Sequence, residues 1–359
     1  MQVTSQILSQ TEVKKLTDQL IHDYCVSRGN EARKIDERYA LLWDAVQTLL
    51  LAGGKRFRPY MLLLAYDAYS QTGDTESIYP AVVAQEIVHA AMLMHDDIID
   101  RDTIRYGVNN IAGQYDASYA SYISDHSERG HFALSTALLA GDMLLSDSHT
   151  LIHTIKKPAE LKEKADEILS RGIFEVIGGE LLDTEATILP TGSISPRQIA
   201  RYKTASYSFI SPLTMGATLA NAAEGEIKLL TELGESLGIA YQLRDDILGV
   251  FGDSEQTGKS TSSDITEGKR TVLIEQFDDV ASEEQSTRFY SLFHRDNLQE
   301  FELLEAKELL VESGALNRVE QEISHLQRKA LESIKNLSLT EDARQSFSDL
   351  VTSTLSRNA

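Results

Sequence analysis

Cysteine is almost absent: Cys25 stands alone in 359 residues. A single thiol excludes an intrachain disulfide framework and fits a reducing cytoplasm. Proline is scarce too, at 6 residues against 21 glycines. With 42% hydrophobic and 25% charged residues, the composition is that of a folded globular chain with a large core. Basic charge is in deficit, 34 lysines and arginines against 55 acids, for a formal net charge of -21. Nucleic acid and anionic membrane surfaces are therefore poor partners, and an anionic substrate must be met by a local basic cluster or by metal. The opening MQVTSQILSQ has neither the basic nor the apolar segment of a secretion signal, and no uninterrupted apolar run reaches membrane-spanning length. Strand-like alternation, internal repeats and linkers are missing as well.

Helical periodicity is what the chain does have. It runs through residues of about 9 to 28, 36 to 52, 60 to 71, 85 to 100, 131 to 154, 160 to 187, 196 to 222 and 225 to 250, with four further stretches reaching about 356. Between Gly107 and Gly130 the sequence turns polar, which predicts an extended loop with one short helix. A second loop, rich in Gly, Ser and Thr, runs from Gly252 to Lys269 and carries two lysines. The pattern predicts one all-α domain over residues 1–359.

The stretch QEIVHAAMLMHDDIID, Gln85 to Asp100, organises the rest. At about 100° per residue, Gln85, His89, Met92, Asp96 and Asp100 share one narrow arc. Ile87, Val88, Leu93, Met94, Ile98 and Ile99 cover the other directions, as in an interior helix. Buried acids must be paired or must hold metal. Asp96, Asp97 and Asp100 are hard oxygen donors with no thiolate nearby, which suits magnesium sharing its coordination with a substrate diphosphate. The blander alternative is a solvated acidic helix end. A second acidic pair, Asp245 and Asp246, ends another apolar helix, with Gln242 one turn earlier and Gly249 in place of a third acid. Two such helix ends favour the metal-diphosphate reading over its alternative.

Basic residues are grouped as a diphosphate requires. Lys55, Arg56 and Arg58 lie in a Gly-led turn, where amides and a guanidinium fork can meet phosphate oxygens. Lys203, Lys259 and Lys269 are each, taken alone, ordinary surface lysines. His89 reads either as a core histidine or as a phosphate-facing donor on the acidic stripe, whereas His95 lies about 100° off that stripe and reads as structural.

GGKRFRP, HDDIIDRDTIR, KTASYS and QLRDDILGVFGDSEQTGKSTSSDITEGKRT resemble, in order, the signatures of the trans-prenyltransferases, or isoprenyl diphosphate synthases, most closely the bacterial geranylgeranyl diphosphate synthases. The resemblance covers residues of about 40 to 280. It implies an isoprenoid synthase type bundle of helices around a deep central cavity, a homodimer, and head-to-tail condensation of isopentenyl diphosphate with an allylic diphosphate (dimethylallyl, geranyl or farnesyl). On this resemblance Lys55, Arg58 and His89 hold isopentenyl diphosphate. Asp96, Asp100 and Asp245 bind magnesium, three ions per site, with Asp97, Asp246 and Lys203 also catalytic. Arg105, Lys203, Thr204, Gln242, Lys259 and Lys269 complete the allylic site. The small Ala91 and the flexible Met92 form the chain-length wall, without an aromatic floor, so the product has twenty carbons or more, as in geranylgeranyl diphosphate.

Departures from the family pattern are specific. Tyr106 follows Arg105 where a second arginine is usual, Gly249 replaces an acid, and Asn109 and Asn110 stand where Pro and Thr are frequent. Two rival readings compete: a metal phosphohydrolase of the HD type, from the His95-Asp96 dipeptide, and a catalytically silent regulatory subunit, from Tyr106.

Overall fold

The computed structural model describes residues 8–252, 263–295 and 297–356. Among these residues the structure is helical almost throughout. The sole strands are Ile104–Arg105 (β1) and Val108–Asn109 (β2), antiparallel with Ile104 opposite Asn109 and Arg105 opposite Val108.

The chain divides into two compact units. The first comprises residues 1–170 and 215–222. Its helices are Gln10–Arg33 (α1), Glu37–Ala52 (α2), Phe57–Tyr69 (α3), Tyr79–Asp100 (α4), Ile111–Tyr119 (α5) and His126–Thr154 (α6), and it also holds the start of Ala159–Ala186 (α7). Local chemistry sets the starts. Ser9 and Glu12 form a capping box on α1, while Asp36, Asn110 and Asp125 accept from the first free amides of α2, α5 and α6. Pro80 stands in the first turn of α4, where its missing N–H costs nothing.

The core of this unit gathers Trp43, Leu49 and Leu50 of α2 with Ile87, Ala91 and Met94 of α4 and Ala137, Ala140 and Leu144 of α6. The segment Glu76–Asp100 is long and apolar enough to cross a membrane, but 72% of its apolar 18-residue window is buried inside the protein, as befits a core helix.

The polar segment after Gly107 is more ordered than its composition predicts. Its apolar surface is carried by tyrosines: Tyr115 and Tyr119 stack at 5.8 Å, and the Tyr119 ring lies 4.7 Å from that of Phe132 on α6.

The second unit comprises residues 171–214 and 223–359. After α7 come Pro196–Ile199 (α8), a π-helical stretch at Ala200–Ile210, the start of Ser211–Leu219 (α9), whose residues from 215 on belong to the first unit, and Glu224–Phe251 (α10). Further on are Ser263–Glu267 (α11), Val272–Val280 (α12), Glu283–Tyr290 (α13), Glu300–Glu312 (α14), Ala315–Asn336 (α15) and Glu341–Leu355 (α16). The four late stretches expected from periodicity are five described helices, α12 to α16, because Ser282 and Gln299 open new capping boxes where the pattern reads through, and α11 falls within the segment read as a loop. Helix α10 packs against the π-helical stretch and against α15.

Candidate active site

In the first unit the acids stand at the C-terminal end of α4. The arc expected to face open space does so in part: Gln85 is buried, His89, Met92 and Asp96 are half-buried, and Asp100 is exposed. Ala91 is different. It has no exposed surface and belongs to the apolar cluster with Trp43 and Leu144, so of the two residues expected to form the chain-length wall only Met92 lies on the accessible arc, beside half-buried Leu93.

The three aspartates are not equivalent. Asp97 is buried, and its carboxylate accepts from Arg105 Nε at 2.8 Å and from Asn110 Nδ2 at 2.9 Å. Burial nevertheless outweighs the Arg105 guanidinium and holds the carboxyl above its ordinary range. Arg105 Nη2 also reaches Asp96 at 3.3 Å. Arg105, expected to meet the allylic diphosphate, here clasps the acidic helix end. Asp97 anchors that clasp, and Asp96 and Asp100 are the more accessible donors.

The basic turn enters α3. Arg56 adopts a left-handed backbone (φ 53°) and is buried, donating to Glu86 at 2.7 Å, to Asp18 at 2.8 Å and to the Leu50 carbonyl at 2.5 Å. This network pins the turn, leaving Lys55 exposed and Arg58 half-buried on either side. Burial drives the His89 imidazole well below its ordinary pKa, and Arg58, Arg56 and Arg105 push in the same direction. His89 is therefore neutral and surrounded by positive charge, the electrostatic setting of an anion site. His95 points elsewhere, toward Leu138 O at 3.4 Å and Asp142 on α6.

In the second unit, Asp245 is half-buried near the end of α10 and Asp246 is buried beside it. Burial pushes Asp246 up to about 8, with Asp264, Asp245 and Asp183 adding to the shift and the Gln242 hydrogen bond opposing it. Gln242 connects two expected residues: its Oε1 accepts from Thr204 at 2.5 Å and its Nε2 donates to Asp246 at 2.9 Å. Lys203 and Thr204 sit in the π-helical stretch, a conformation found disproportionately at functional sites. Lys203 Nζ is held by Asp183 at 2.6 Å and by Glu180 at 3.0 Å, both on α7, and Lys269 by Glu267 at 3.2 Å. Lys259 lies outside the described residues.

Several participants escaped the sequence reading. A side chain built on Gly249 would meet the Asp264 carboxylate at 2.1 Å, so Asp264 fills the space left by the missing third acid of the second motif. Asn110 both caps α5 through Gly113 N and holds Asp97. The DIxEGK string offered a signal for Asp264; nothing local marked Glu180, Asp183 or Glu86.

All these carboxylates are hard oxygen donors, and the accessible Asp96, Asp100 and Asp245 suit magnesium, which takes one or two carboxylates and completes its shell with water and phosphate. Among the described residues no three acids, histidines or cysteines converge into a ready-made cage. Carboxylate-bearing helix ends, a pinned basic turn and a neutral histidine in a positive field define an all-α enzyme built to handle diphosphates.

The polyprenyl synthetase family profile matches residues 39–310. The chain is 30% identical to the short chain isoprenyl diphosphate synthase of Methanocaldococcus jannaschii, over 78% of this chain and 82% of that protein. It is likewise 30% identical to the geranylgeranyl diphosphate synthase of Sulfolobus acidocaldarius, over 75% and 76%. In three dimensions it resembles the geranylgeranyl pyrophosphate synthase of Corynebacterium glutamicum, solved with isoprenyl diphosphate and magnesium, with a TM-score of 0.90 and 28% identity over 98% of this chain and all of that one. The chain belongs to the polyprenyl synthetase family and is a trans-prenyltransferase of isoprenoid biosynthesis.

Proposed function

We propose that the protein condenses isopentenyl diphosphate head to tail with an allylic diphosphate to give geranylgeranyl diphosphate, acting in the cytoplasm as a magnesium-dependent homodimer whose two units form one catalytic domain. The observation that carries this reading is the accessible arc of α4, in which carboxylates stand at one end of a row continued by His89, Met92 and Leu93. A charged head beside an apolar track suits an amphiphile whose head is a diphosphate. The two relatives named as geranylgeranyl synthases support a twenty-carbon product.

The roles are those that the family resemblance implies, and the chemistry agrees with them. Lys55, Arg58 and neutral His89 hold the diphosphate of isopentenyl diphosphate. Asp96, Asp100 and Asp245 would hold magnesium, which when bound offsets the charge developing on the departing allylic diphosphate. Lys203 and Lys269, oriented by their acidic partners, add cationic stabilisation to the same leaving group, and Gln242 with Thr204 orders the polar wall near Asp246. Apolar side chains keep water from the allylic cation until the double bond of isopentenyl diphosphate attacks. The proton then lost passes to the released diphosphate, so no dedicated side-chain base is required. The exposed Leu134, Leu138 and Leu139 of α6 offer an apolar face for a second copy.

The test is incubation of the protein with isopentenyl diphosphate, magnesium and each allylic primer in turn, followed by chromatography of the dephosphorylated products. Geranylgeraniol is expected, with activity abolished by a chelator. Asp96→Ala is expected to lower kcat at least about a hundredfold, as removal of a principal electrostatic stabiliser does. Undiminished turnover by that variant refutes the assignment.

A further inference from the structure

Tyr106 occupies a position that disfavours it. The turn joining β1 to β2 has two central residues, Tyr106 (φ 54°) and Gly107 (φ 76°), flanked by the paired Arg105 and Val108. Positive φ at both positions is the type I′ geometry that selects Asn, Asp or Gly at the first, and a bulky side chain there is strained. Such strain persists where the surroundings impose it, and an observed outlier of this kind points to a role.

The surroundings are the basic turn. A Cβ built on Gly53 would lie 2.8 Å from Tyr106 Cγ and 3.0 Å from its Cδ1, so the ring lies directly on the backbone of Gly53 and leaves no room for a side chain there. Gly53 and Gly54 lead into Lys55, Arg56 and Arg58. On its own hairpin, Tyr106 follows Arg105, the residue that clasps Asp97 and Asp96. The phenol also sits within the field of both segments: burial raises its pKa, Arg58, Arg105 and Arg56 oppose that rise, and Glu86 adds to it. Arg56 already pins the turn through Glu86 and Asp18, and the Tyr106 ring, against Gly53, adds a contact that fastens it to the hairpin.

We propose that Tyr106 is a positioning residue for the isopentenyl diphosphate subsite: its ring, laid over Gly53, fixes the backbone that presents Lys55 and Arg58 and ties that turn to the hairpin bearing Arg105. The assignment rests on the condensation proposed above. It gives the tyrosine a task in place of the charge that a second arginine would bring: Tyr106 sharpens the geometry of the cations already present.

Three variants test this. Tyr106→Asn suits the turn and removes the ring; it is expected to raise KM for isopentenyl diphosphate about tenfold while kcat and the allylic KM change less than about twofold, with no loss of thermal stability. Tyr106→Phe keeps the ring and is expected to bring KM back to the wild-type range. Gly53→Ala, which displaces the ring, is expected to raise the same KM, and Gly53→Ala combined with Tyr106→Asn to do no worse than either alone, because both remove one contact. A wild-type KM in Tyr106→Asn overturns the proposal. So does a Tyr106→Phe variant as impaired as Tyr106→Asn, or a loss of affinity for both substrates with a fall in melting temperature. Absence of condensation by the wild-type protein would instead remove the function itself, a result that none of these comparisons between variants can mimic.

Discussion

Arg56 and Glu86 form an ion pair with side chains only 5% and 3% exposed, joined at 2.7 Å. Burial alone would depress the guanidinium, and Glu86 with Asp18 more than offsets it. Replacing Arg56 with Met leaves Glu86 buried without its counter-charge, and breaking a buried pair from one side costs about 3–5 kcal/mol. The left-handed backbone at Arg56 is equally strained for either residue, so it cancels from the difference. Asp18 contributes little to the loss, because its side chain is 32% exposed and rehydrates. The double variant Arg56→Met with Glu86→Met substitutes an apolar contact for the pair and is expected to recover most of the deficit, to within about 1–2 kcal/mol of wild type. Thermal midpoints of the wild type, both singles and the double, followed by far-UV circular dichroism at matched scan rate, give the cycle. An Arg56→Met variant as stable as wild type, or a double variant no better than the worse single, refutes the reasoning.

Other expectations concern buried polar groups. Burial pushes Asp67 from 3.8 up to about 6, and its Oδ1 makes no hydrogen bond among the described residues. The native state therefore holds the extra proton between these values, stability falls as pH rises through that window, and the loss persists at neutrality. Asp67→Asn is expected to gain about 1–3 kcal/mol at pH 7.5 and nothing near pH 4, read from pH-dependent melting; equal gains at both pH values contradict this. His89 has its folded pKa depressed below 6.5, so the unfolded chain binds the extra proton and stability falls as pH drops through about 6.5. A bound diphosphate reverses that depression, so calorimetry in buffers of different ionisation enthalpy is expected to show proton uptake on binding that vanishes in His89→Gln. Asn110→Ala removes a helix cap and a buried donor to Asp97, for an expected loss of about 2–4 kcal/mol in unfolding experiments; a loss under about 0.5 kcal/mol would rule out the anchoring role.

The helices of the first unit were legible because their apolar positions repeat at 3.6 residues and the starts of α1 and α2 carry Ser9 and Asp36. The π-helical stretch was not, since its wider winding carries no apolar signature distinct from an α-helix. The polar run after Gly107 was expected to hold one short helix, and α5 is that helix, packed through its tyrosines; what the run hid is the start of α6, at His126 rather than near 131. At the site, the acids and the basic turn stood out as motifs, while the partners that hold them did not. Glu86, Glu180 and Asp183 lie 20 or more residues from the arginine or lysine they engage, and no local pattern reports a partner at that separation. Ala91, expected on the chain-length wall, lies one step of about 100° around α4 from Met92 and is packed in the apolar cluster, a difference of direction that sequence position alone does not report.

The β1–β2 hairpin is the smallest sheet a chain can make, and an isolated pair of two-residue strands has no stability of its own. Its order is lent by what it grips: Asp97 through Arg105, and the Gly53 backbone through the Tyr106 ring. Local opening there costs far less than melting α4 or α6, so its amides are the ones that exchange with solvent first while the helices stay closed. Arg105 and Tyr106 thus bind the acidic helix end and the basic turn to a segment that owes its own order to those two contacts.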